Sequence, residues 1–248
     1  NVAENQTGVA TISVSDVDTG DTLTLSHSGT DEASFNLSDE NVLTFVTAPD
    51  YETKTSYSIN LSLTDGIASV TKDITIAVTN VNDVAPEFTS SATFSVDENQ
   101  SAITTVIATD AEGDSVTFSI SGNELSITSA GILTFKTAPD YETKSSYTAT
   151  ITANDGINSV TQDITVSINN LNDNSPSFIS SASFSAAENQ KAIGTVVATD
   201  ADGDAVTYSV SGSELEITTA GVLTFKTAPD YETKTSYTAT VTATDGTN

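Results

Sequence analysis

The chain has 248 residues, with 34 acidic side chains against seven lysines and no arginine, and its formal net charge is −27. Such a charge excludes a basic surface for nucleic acid, because every phosphate contact would meet net repulsion, and it favours cations as partners. The absence of cysteine excludes disulfide bonds, and the length allows one to three domains.

Three copies of one sequence unit follow one another along the chain. The motif TAPDYET begins at Thr47, Thr137 and Thr227, ninety residues apart each time, and ENQ recurs at Glu4, Glu98 and Glu188. Repetition at a fixed period predicts one domain that has been copied. We expect a first repeat over 1–83 without its N-terminal part, a complete repeat over 84–173, and a third repeat over 174–248 without its last strand.

Each copy has the hydrophobic pattern of short β-strands. Apolar residues alternate with polar ones in VTFSI, residues 116–120, in YTATITA, 147–153, in ITVSI, 164–168, and in VTYSV, 206–210. Period-two alternation separated by Gly, Asn and Asp clusters predicts antiparallel strands with one buried face. About seven strands in ninety residues fit an immunoglobulin-like sandwich. His27 falls at the position of Ile120 and is expected to be a strand residue.

Acidic residues recur at the ends of these predicted strands. Ca²⁺ binds six to eight oxygen ligands and tolerates irregular geometry, so its ligands can come from loops that are distant in sequence. Carboxylates that converge without a cation repel one another or have raised pKa values. If these residues converge at one pole of a sandwich, a divalent cation is the simplest way to hold them together.

Five motifs resemble the calcium motifs of the cadherin repeat, and they occur in the same order as in that family. They are ENQ after a strand, ATDADGD about ten residues later, PDYE in mid-domain, ATDG before the last strand, and NLNDNSP at the boundary. The resemblance covers all 248 residues, and it implies an all-β chain of tandem Greek-key sandwich domains in a linear rod. The lack of cysteine and the near-identity of the copies resemble the bacterial versions found in long surface adhesins.

The resemblance also implies the calcium ligands, with two or three ions at each joint. Asn-x-Asn-Asp-x-x-Pro would be the joint itself, because proline fixes φ at the start of the next domain. The first joint would use Glu4, Asp50, Glu52, Asn80, Asn82, Asp83, Asp110, Glu112 and Asp155. The second joint would use Glu98, Asp140, Glu142, Asn170, Asn172, Asp173, Asp200, Asp202 and Asp245. Incomplete half-sites would lie at Asp16, Asp18 and Asp65 and at Glu188, Asp230 and Glu232.

The resemblance implies that the chain is a calcium-rigidified extender of a bacterial adhesin. Such an adhesin is an extracellular or cell-surface protein, secreted or membrane-associated, that acts in cell adhesion and in biofilms. The repeats would form a monomeric rod. The alternative is a module that binds polysaccharide or like repeats on another cell, although the chain has no tryptophan. No run of about 20 apolar residues or N-terminal leader is present, so we expect no membrane insertion by this chain.

Two other interpretations fit the residues poorly. DADGD at Asp200 has the spacing of an EF-hand loop only in part, because its glycine comes at the fourth position and Ser211 replaces the final glutamate. A Ser-His-Asp triad would need His27, which has no counterpart in the other copies. We therefore expect the protein not to be an enzyme.

Overall fold

The structure, a computed structural model, describes residues 1–18 and 20–248. Over these residues the regular secondary structure consists of β-strands, apart from one short 3-10 helix at Glu32–Ser34. Within the same ranges, no helix is long and apolar enough to cross a membrane. Three separate hydrophobic clusters follow one another along the chain, centred on Leu43, Leu133 and Leu223.

The first sandwich consists of two sheets. Its strands are β1 (Val2–Ala3), β2 (Gly8–Thr11), β3 (Thr24–Ser28), β4 (Phe35–Leu37), β5 (Val42–Phe45), β6 (Ser56–Thr64) and β7 (Ser69–Thr79). They form the sheets β1-β7-β6-β3 and β2-β5-β4. As expected for a strand residue, His27 lies half-buried in β3 and pairs with Leu61, as Ile120 pairs with Ile151 in the next domain.

The second sandwich repeats this arrangement. Its strands are β8 (Glu87–Phe88), β9 (Thr93–Asp97), β10 (Ala102–Thr105), β11 (Ala108–Thr109), β12 (Thr117–Ile120), β13 (Leu125–Ile127), β14 (Ile132–Phe135), β15 (Ser146–Asn154) and β16 (Ser159–Asn169). They form the sheets β12-β15-β16-β9 and β10-β14-β13, with the small pair β11-β8. The predicted alternation is confirmed in β16, where Ile164, Val166 and Ile168 are at most 5% exposed.

The third sandwich has shorter sheets. Its strands are β17 (Ser177–Phe178), β18 (Ala192–Thr195), β19 (Ala198–Thr199), β20 (Thr207–Val210), β21 (Leu215–Ile217), β22 (Val222–Phe225) and β23 (Val241–Thr244). They form the sheets β18-β22-β21, β20-β23 and β17-β19. Its fully buried core is smaller than that of the second sandwich, with Val196, Leu215, Leu223 and Phe225.

In the first two sandwiches, a strand near the start of the domain runs parallel to the last strand. β1 pairs with β7, and β9 pairs with β16, in parallel register. Because both strands of a pair point the same way, the chain enters a domain at one pole and leaves it at the opposite pole. Successive domains are therefore joined end to end, and the linker of one domain meets the loops of the next.

An ion pair and a glycine illustrate how the loops pack against the sandwiches. Lys54 forms an ion pair with Asp31 and lies 4.5 Å from the ring centre of Tyr57. Gly131 has φ +85°, and a Cβ there would lie 2.2 Å from the carbonyl oxygen of Val106. A side chain cannot be accommodated at that distance, so the turn before β14 requires glycine.

Candidate metal centre

At each joint, four carboxylates from two successive domains and their linker converge. One oxygen from each member of a group lies within 4.8 Å of the others, in the groups Glu4, Glu52, Asp83 and Glu112, and Glu98, Glu142, Asp173 and Asp202. Two ligands on opposite sides of a Ca²⁺ ion are about 4.8 Å apart, because each Ca–O bond is 2.3–2.6 Å long. Each group therefore has the dimensions of a calcium site.

The glutamate of ENQ anchors each group in the protein. Glu98 is 3% exposed, and its two carboxylate oxygens accept hydrogen bonds from the backbone amides of Tyr141, at 2.7 Å, and Leu171, at 2.8 Å. The next residue, Asn99, adopts φ +64°, and its amide donates to the Pro139 carbonyl. The buried glutamate thus connects the PDYE turn to the linker.

The same geometry recurs at the first joint. Glu4 is 4% exposed and accepts hydrogen bonds from the amides of Tyr51, at 2.6 Å, and Val81, at 2.7 Å. In both copies the buried carboxylate lies at the base of the group, and each of its two oxygens accepts one amide from a different segment, which leaves further acceptor capacity on both oxygens.

The linker is held from the other side by the next domain. Glu112 accepts the amide of Asp83 at 2.9 Å with one oxygen and the amide of Val84 at 3.3 Å with the other. At the second joint a single oxygen of Asp202 accepts two amides, those of Asp173 at 3.0 Å and Asn174 at 2.9 Å. Glu112 therefore binds the linker amides that correspond to those bound by Asp202, although its side chain is longer.

Three further carboxylates of the predicted set have an oxygen without a partner. Asp110, Asp155 and Asp200 each bury one Oδ2 that forms no hydrogen bond. Their Oδ1 atoms are used locally: that of Asp155 accepts the amides of Ile157, at 2.7 Å, and Asn158, at 2.6 Å. A buried, unpaired carboxylate oxygen is costly without a cation or a donor. These oxygens fit a metal ion in the loops that face the linker.

Other predicted ligands have hydrogen-bond partners within the protein. Asp50 and Asp140 cap the turns that carry Glu52 and Glu142, and their carboxylates accept from the amide and hydroxyl of Thr53 and Thr143. Asp245 accepts the amides of Thr247 and Asn248, each at 2.6 Å. These three carboxylates lie beside the convergent groups, and their oxygens serve the local turns.

The four predicted asparagines of the linkers bind the next domain. Asn80 and Asn170 donate to the carbonyls of Glu112, at 3.4 Å, and Asp202, at 2.8 Å. Asn82 and Asn172 accept through Oδ1 from asparagines of the next domain. The structure thus brings both linkers against the following domain.

Repulsion and burial alter the acidity of these groups. Burial, followed by repulsion from Glu4 and Glu112, raises the pKa of Glu52. Burial, and then repulsion from Glu98 and Asp202, raises the pKa of Glu142 in the same way. The pKa of Asp202 is lowered, first by the hydrogen bond from the Asn174 side chain. Raised glutamate pKa values are the expected result of carboxylates that converge without a cation.

Sequence reasoning missed several asparagines that complete the joints. The Nδ2 of Asn158 donates to the Oδ1 of Asn82 at 2.7 Å, and Asn248 binds Asn172 in the same way at 2.9 Å. Asn174 donates to Glu142, Asp173 and Asp202 at 2.9–3.2 Å. The side chains of Asn5 and Asn99 donate to Asp83 and Asp173. Positions 158 and 248 are ninety residues apart, which is the one sequence signal that could have revealed that pair.

The predicted half-sites also gather acidic residues. Glu188, Asp230 and Glu232 form one exposed group, and Asp16 and Asp18 form another with Asp21. Glu188 accepts a hydrogen bond from the Tyr231 amide at 3.0 Å and is exposed, in contrast to buried Glu98. Each joint group contains one buried glutamate, whereas every member of these two groups is exposed, and solvated carboxylates are common on protein surfaces.

Comparison with solved structures decides the fold. The three domains superpose on the crystal structure of mouse cadherin-23 EC22-24 with a TM-score of 0.77, over 99% of this chain and 89% of that chain, at 23% sequence identity. The chain has the cadherin-type fold. The protein therefore consists of tandem cadherin-like repeats, and the predicted all-β architecture is confirmed.

Sequence comparisons agree with this fold. Residues 82–169 match the family described as bacterial Ig domain. Protocadherin Fat 4 of Mus musculus is 37% identical over 142 residues, which cover 50% of this chain and 3% of that protein. Chitinase A of Pseudoalteromonas piscicida is 32% identical over 133 residues, which cover 50% of this chain and 15% of the enzyme. The cadherin-like repeats thus correspond to small parts of much longer relatives.

Proposed function

We propose that the chain is a calcium-rigidified extender segment of an extracellular adhesin. The observation that carries the proposal is the convergence of four carboxylates, from two domains and the linker between them, within 4.8 Å at each of the two joints. A group assembled from three separate segments holds those segments together only when its negative charges are balanced. Bound Ca²⁺ supplies that balance and takes oxygen ligands of this kind.

The proposed ligands are those implied by the sequence, with the convergent groups at their centre. Glu4 and Glu98 would hold the ion from the preceding domain, Asp83 and Asp173 from the linker, and the Asp110 and Asp200 loops from the next domain. The unpaired Oδ2 atoms of Asp110, Asp155 and Asp200 support this assignment. Each sandwich would contribute to the joint at one pole and accept the next joint at the other.

The mechanism is a change from a flexible linker to a stiff one. Without a cation, Glu52 repels Glu4 of its own domain and Glu112 across the first joint, as its raised pKa indicates. The hydrogen bonds from Asp83 and Val84 to Glu112 then act against this repulsion. Neutralising the carboxylates removes the repulsion and leaves those hydrogen bonds to fix the angle between the domains.

The cellular setting is inferred from the relatives. Matched structures include the extracellular cadherin domains 3-6 of protocadherin gamma B2 and the ectodomain of human desmocollin-1. The bacterial Ig family and the absence of cysteine favour a bacterial surface protein. We propose that the repeats act outside the cell, as a non-catalytic monomeric spacer, with the division into 1–83, 84–173 and 174–248 as its units.

Small-angle X-ray scattering in millimolar Ca²⁺ and in excess chelator tests the proposal. We expect a stiff, extended particle in Ca²⁺ and a shorter, more variable one in chelator. Asp173→Ala should abolish part of this difference, whereas Asp163→Ala should preserve it, because Asp163 is an exposed residue of β16 that bonds Thr150 away from the joint. If both variants reduced the difference between Ca²⁺ and chelator to the same extent, the loss of one negative charge, and not the geometry of the joint, would explain the effect.

Binding of polysaccharide is the second candidate function, and the match to chitinase A favours it. Sugar sites usually present aromatic side chains, and Tyr231 and Phe178 are 63% and 47% exposed. A glycan array with chitin oligosaccharides, in Ca²⁺ and in chelator, tests it. Specific retention would favour a recognition module, and bead clumping that depends on Ca²⁺ would favour contact between like repeats.

A further inference from the structure

The two joints differ at the residue that follows the aspartate of the linker. This residue is Val84 at the first joint and Asn174, ninety residues later, at the second. Val84 is 38% exposed, and its hydrocarbon side chain forms no hydrogen bond. Asn174 is half-buried, and its side-chain amide carries two N–H donors. The second joint therefore has a hydrogen-bond donor at a place where the first joint has only a hydrocarbon.

The side-chain amide of Asn174 lies where the carboxylates of the second joint converge. Its Nδ2 is 3.2 Å from an oxygen of Glu142, 2.9 Å from one of Asp173 and 3.0 Å from one of Asp202. All three residues belong to the convergent group. Because ionised carboxylates only accept hydrogen bonds, they require the nitrogen of the amide, and not its oxygen, at this place. A cation bound by the same three oxygens would need the position that the nitrogen occupies.

Through these hydrogen bonds, one side chain connects three segments of the chain. Glu142 belongs to the turn before β15 of the second domain, Asp173 to the linker, and Asp202 to the loop after β19 of the third domain. Hydrogen bonds from an amide favour the charged form of a carboxylate and offset part of the repulsion between neighbouring negative charges. Asn174 therefore holds the second joint together in the absence of a cation, which the side chain of Val84 cannot do at the first.

A second difference between the joints accompanies the first. Asp202 accepts both linker amides, those of Asp173 and Asn174, with Oδ2, and its Oδ1 accepts the side-chain amide of Asn174. Glu112 uses one oxygen for each of the two corresponding amides at the first joint. The shorter acid thus keeps one oxygen for the asparagine, so Asn174 and Asp202 form a pair that Val84 and Glu112 do not form.

We propose that the Asn174 amide closes the second joint without a cation and that Ca²⁺ has to displace it from between the carboxylates. This inference rests on the proposed function, in which both joints bind Ca²⁺. A side chain that stabilises only the ion-free joint weakens the apparent affinity for the ion. An amide in place in about nine of ten molecules raises the apparent Kd about tenfold. The first joint, with Val84, therefore binds Ca²⁺ more tightly and is the joint that Ca²⁺ stiffens most.

Distances between spin labels in chelator test the closure, because the chain has no cysteine of its own. Ser26, Ser119 and Ser209 are exposed residues of β3, β12 and β20. Labelled cysteines at the first two positions span the first joint, and those at the last two span the second. Double electron–electron resonance should give a narrower distance distribution across the second joint than across the first. Asn174→Val, which installs the residue of the first joint, should broaden the second distribution to the width of the first.

Calorimetric titration of the full chain with Ca²⁺ tests the displacement. We expect two classes of site, about tenfold apart in Kd. Asn174→Val should tighten the weaker class about tenfold, whereas Val84→Asn combined with Glu112→Asp should weaken the tighter class, because the pair of the second joint is then present at both joints. Asn36→Val is the control, since it removes an exposed amide from β4, and it should leave both classes unchanged.

The outcomes separate this inference from the proposed function. An amide that orients the carboxylates for the ion would give the opposite sign, so weaker Ca²⁺ binding by Asn174→Val overturns the displacement. Equal widths for the two joints in chelator, or an unchanged width in Asn174→Val, overturn the closure. Absence of Ca²⁺ binding by every chain would refute the proposed function and the displacement together, whereas the widths in chelator are measured without the ion and still decide the closure.

Discussion

Replacing Glu98 with alanine tests whether the buried glutamate holds the joint together by its own hydrogen bonds. Glu98 is 3% exposed and accepts two backbone amides, at 2.7 and 2.8 Å. A hydrogen bond to a charged group contributes about 1.5–3 kcal/mol, and two that share one carboxylate add incompletely. Loss of repulsion from the neighbouring carboxylates offsets part of the cost. We expect Glu98→Ala to lower the free energy of unfolding of the second domain by about 3 kcal/mol in chelator.

Glu188→Ala is the matched control, because it removes the same residue of the same motif. Its carboxylate is exposed and accepts one amide at 3.0 Å, so we expect a loss below about 1 kcal/mol in the third domain. Native-state hydrogen exchange with mass spectrometry separates the domains, since their peptides differ in sequence. The slowest amides of β15 and β16 should exchange roughly a hundredfold faster in Glu98→Ala.

The result in Ca²⁺ completes the test. Ca²⁺ that binds only the folded joint stabilises it by about 2.7 kcal/mol at a hundred times its dissociation constant. Glu98→Ala should lose this gain, and Glu188→Ala should retain it. Unchanged protection of β15 and β16 in chelator would refute the reasoning about Glu98, whereas a retained calcium gain would refute only its assignment as a ligand.

Three further predictions concern single side chains. Gly131→Ala should destabilise the second domain by about 3 kcal/mol or more, because its Cβ would overlap the Val106 carbonyl oxygen. Gly122→Ala is the control: Gly122 has the same φ of +85° but open space around it, so the substitution should cost about 1–2 kcal/mol. Urea unfolding measures both losses, and equal losses would mean that the overlap at Gly131 does not destabilise the domain. The hydrogen bond from its lysine partner, followed by one from a backbone amide, lowers the pKa of Asp31. The stability that this carboxylate contributes to the first domain is therefore complete above about pH 4 and is lost as the pH falls through its folded-state pKa. Asp31→Asn should weaken the loss of thermal stability at acid pH, and an unchanged loss in thermal melts would contradict the assignment. Asn158→Ala should loosen the first joint even in chelator, because it removes the bond to Asn82; scattering measures the change, and an unaltered profile would mean that this bond does not set the joint angle.

Much of the fold follows from local patterns. Alternation at Ile164, Val166 and Ile168 predicts a strand with one buried face, and the structure buries all three residues. The ninety-residue period predicts that each copy folds alike, since near-identical sequences present the same buried surface. The hydrogen bonds of Asn158 and Asn174 were not predicted, because an amide side chain fits a surface, a turn or a joint equally well from its sequence alone.

Sequence by itself determined the class of fold, the repetition and the residue types that gather at the domain ends, because these depend on period and on local chemistry. Tertiary structure alone decided which carboxylates converge and which serve their own turns. Glu52 and Asp50 stand two residues apart, yet Glu52 joins the group of Glu4 while Asp50 caps the turn at Thr53. Only the packing of one pole against the next domain places Glu112 beside Asp83, since the two lie twenty-nine residues apart and belong to different segments.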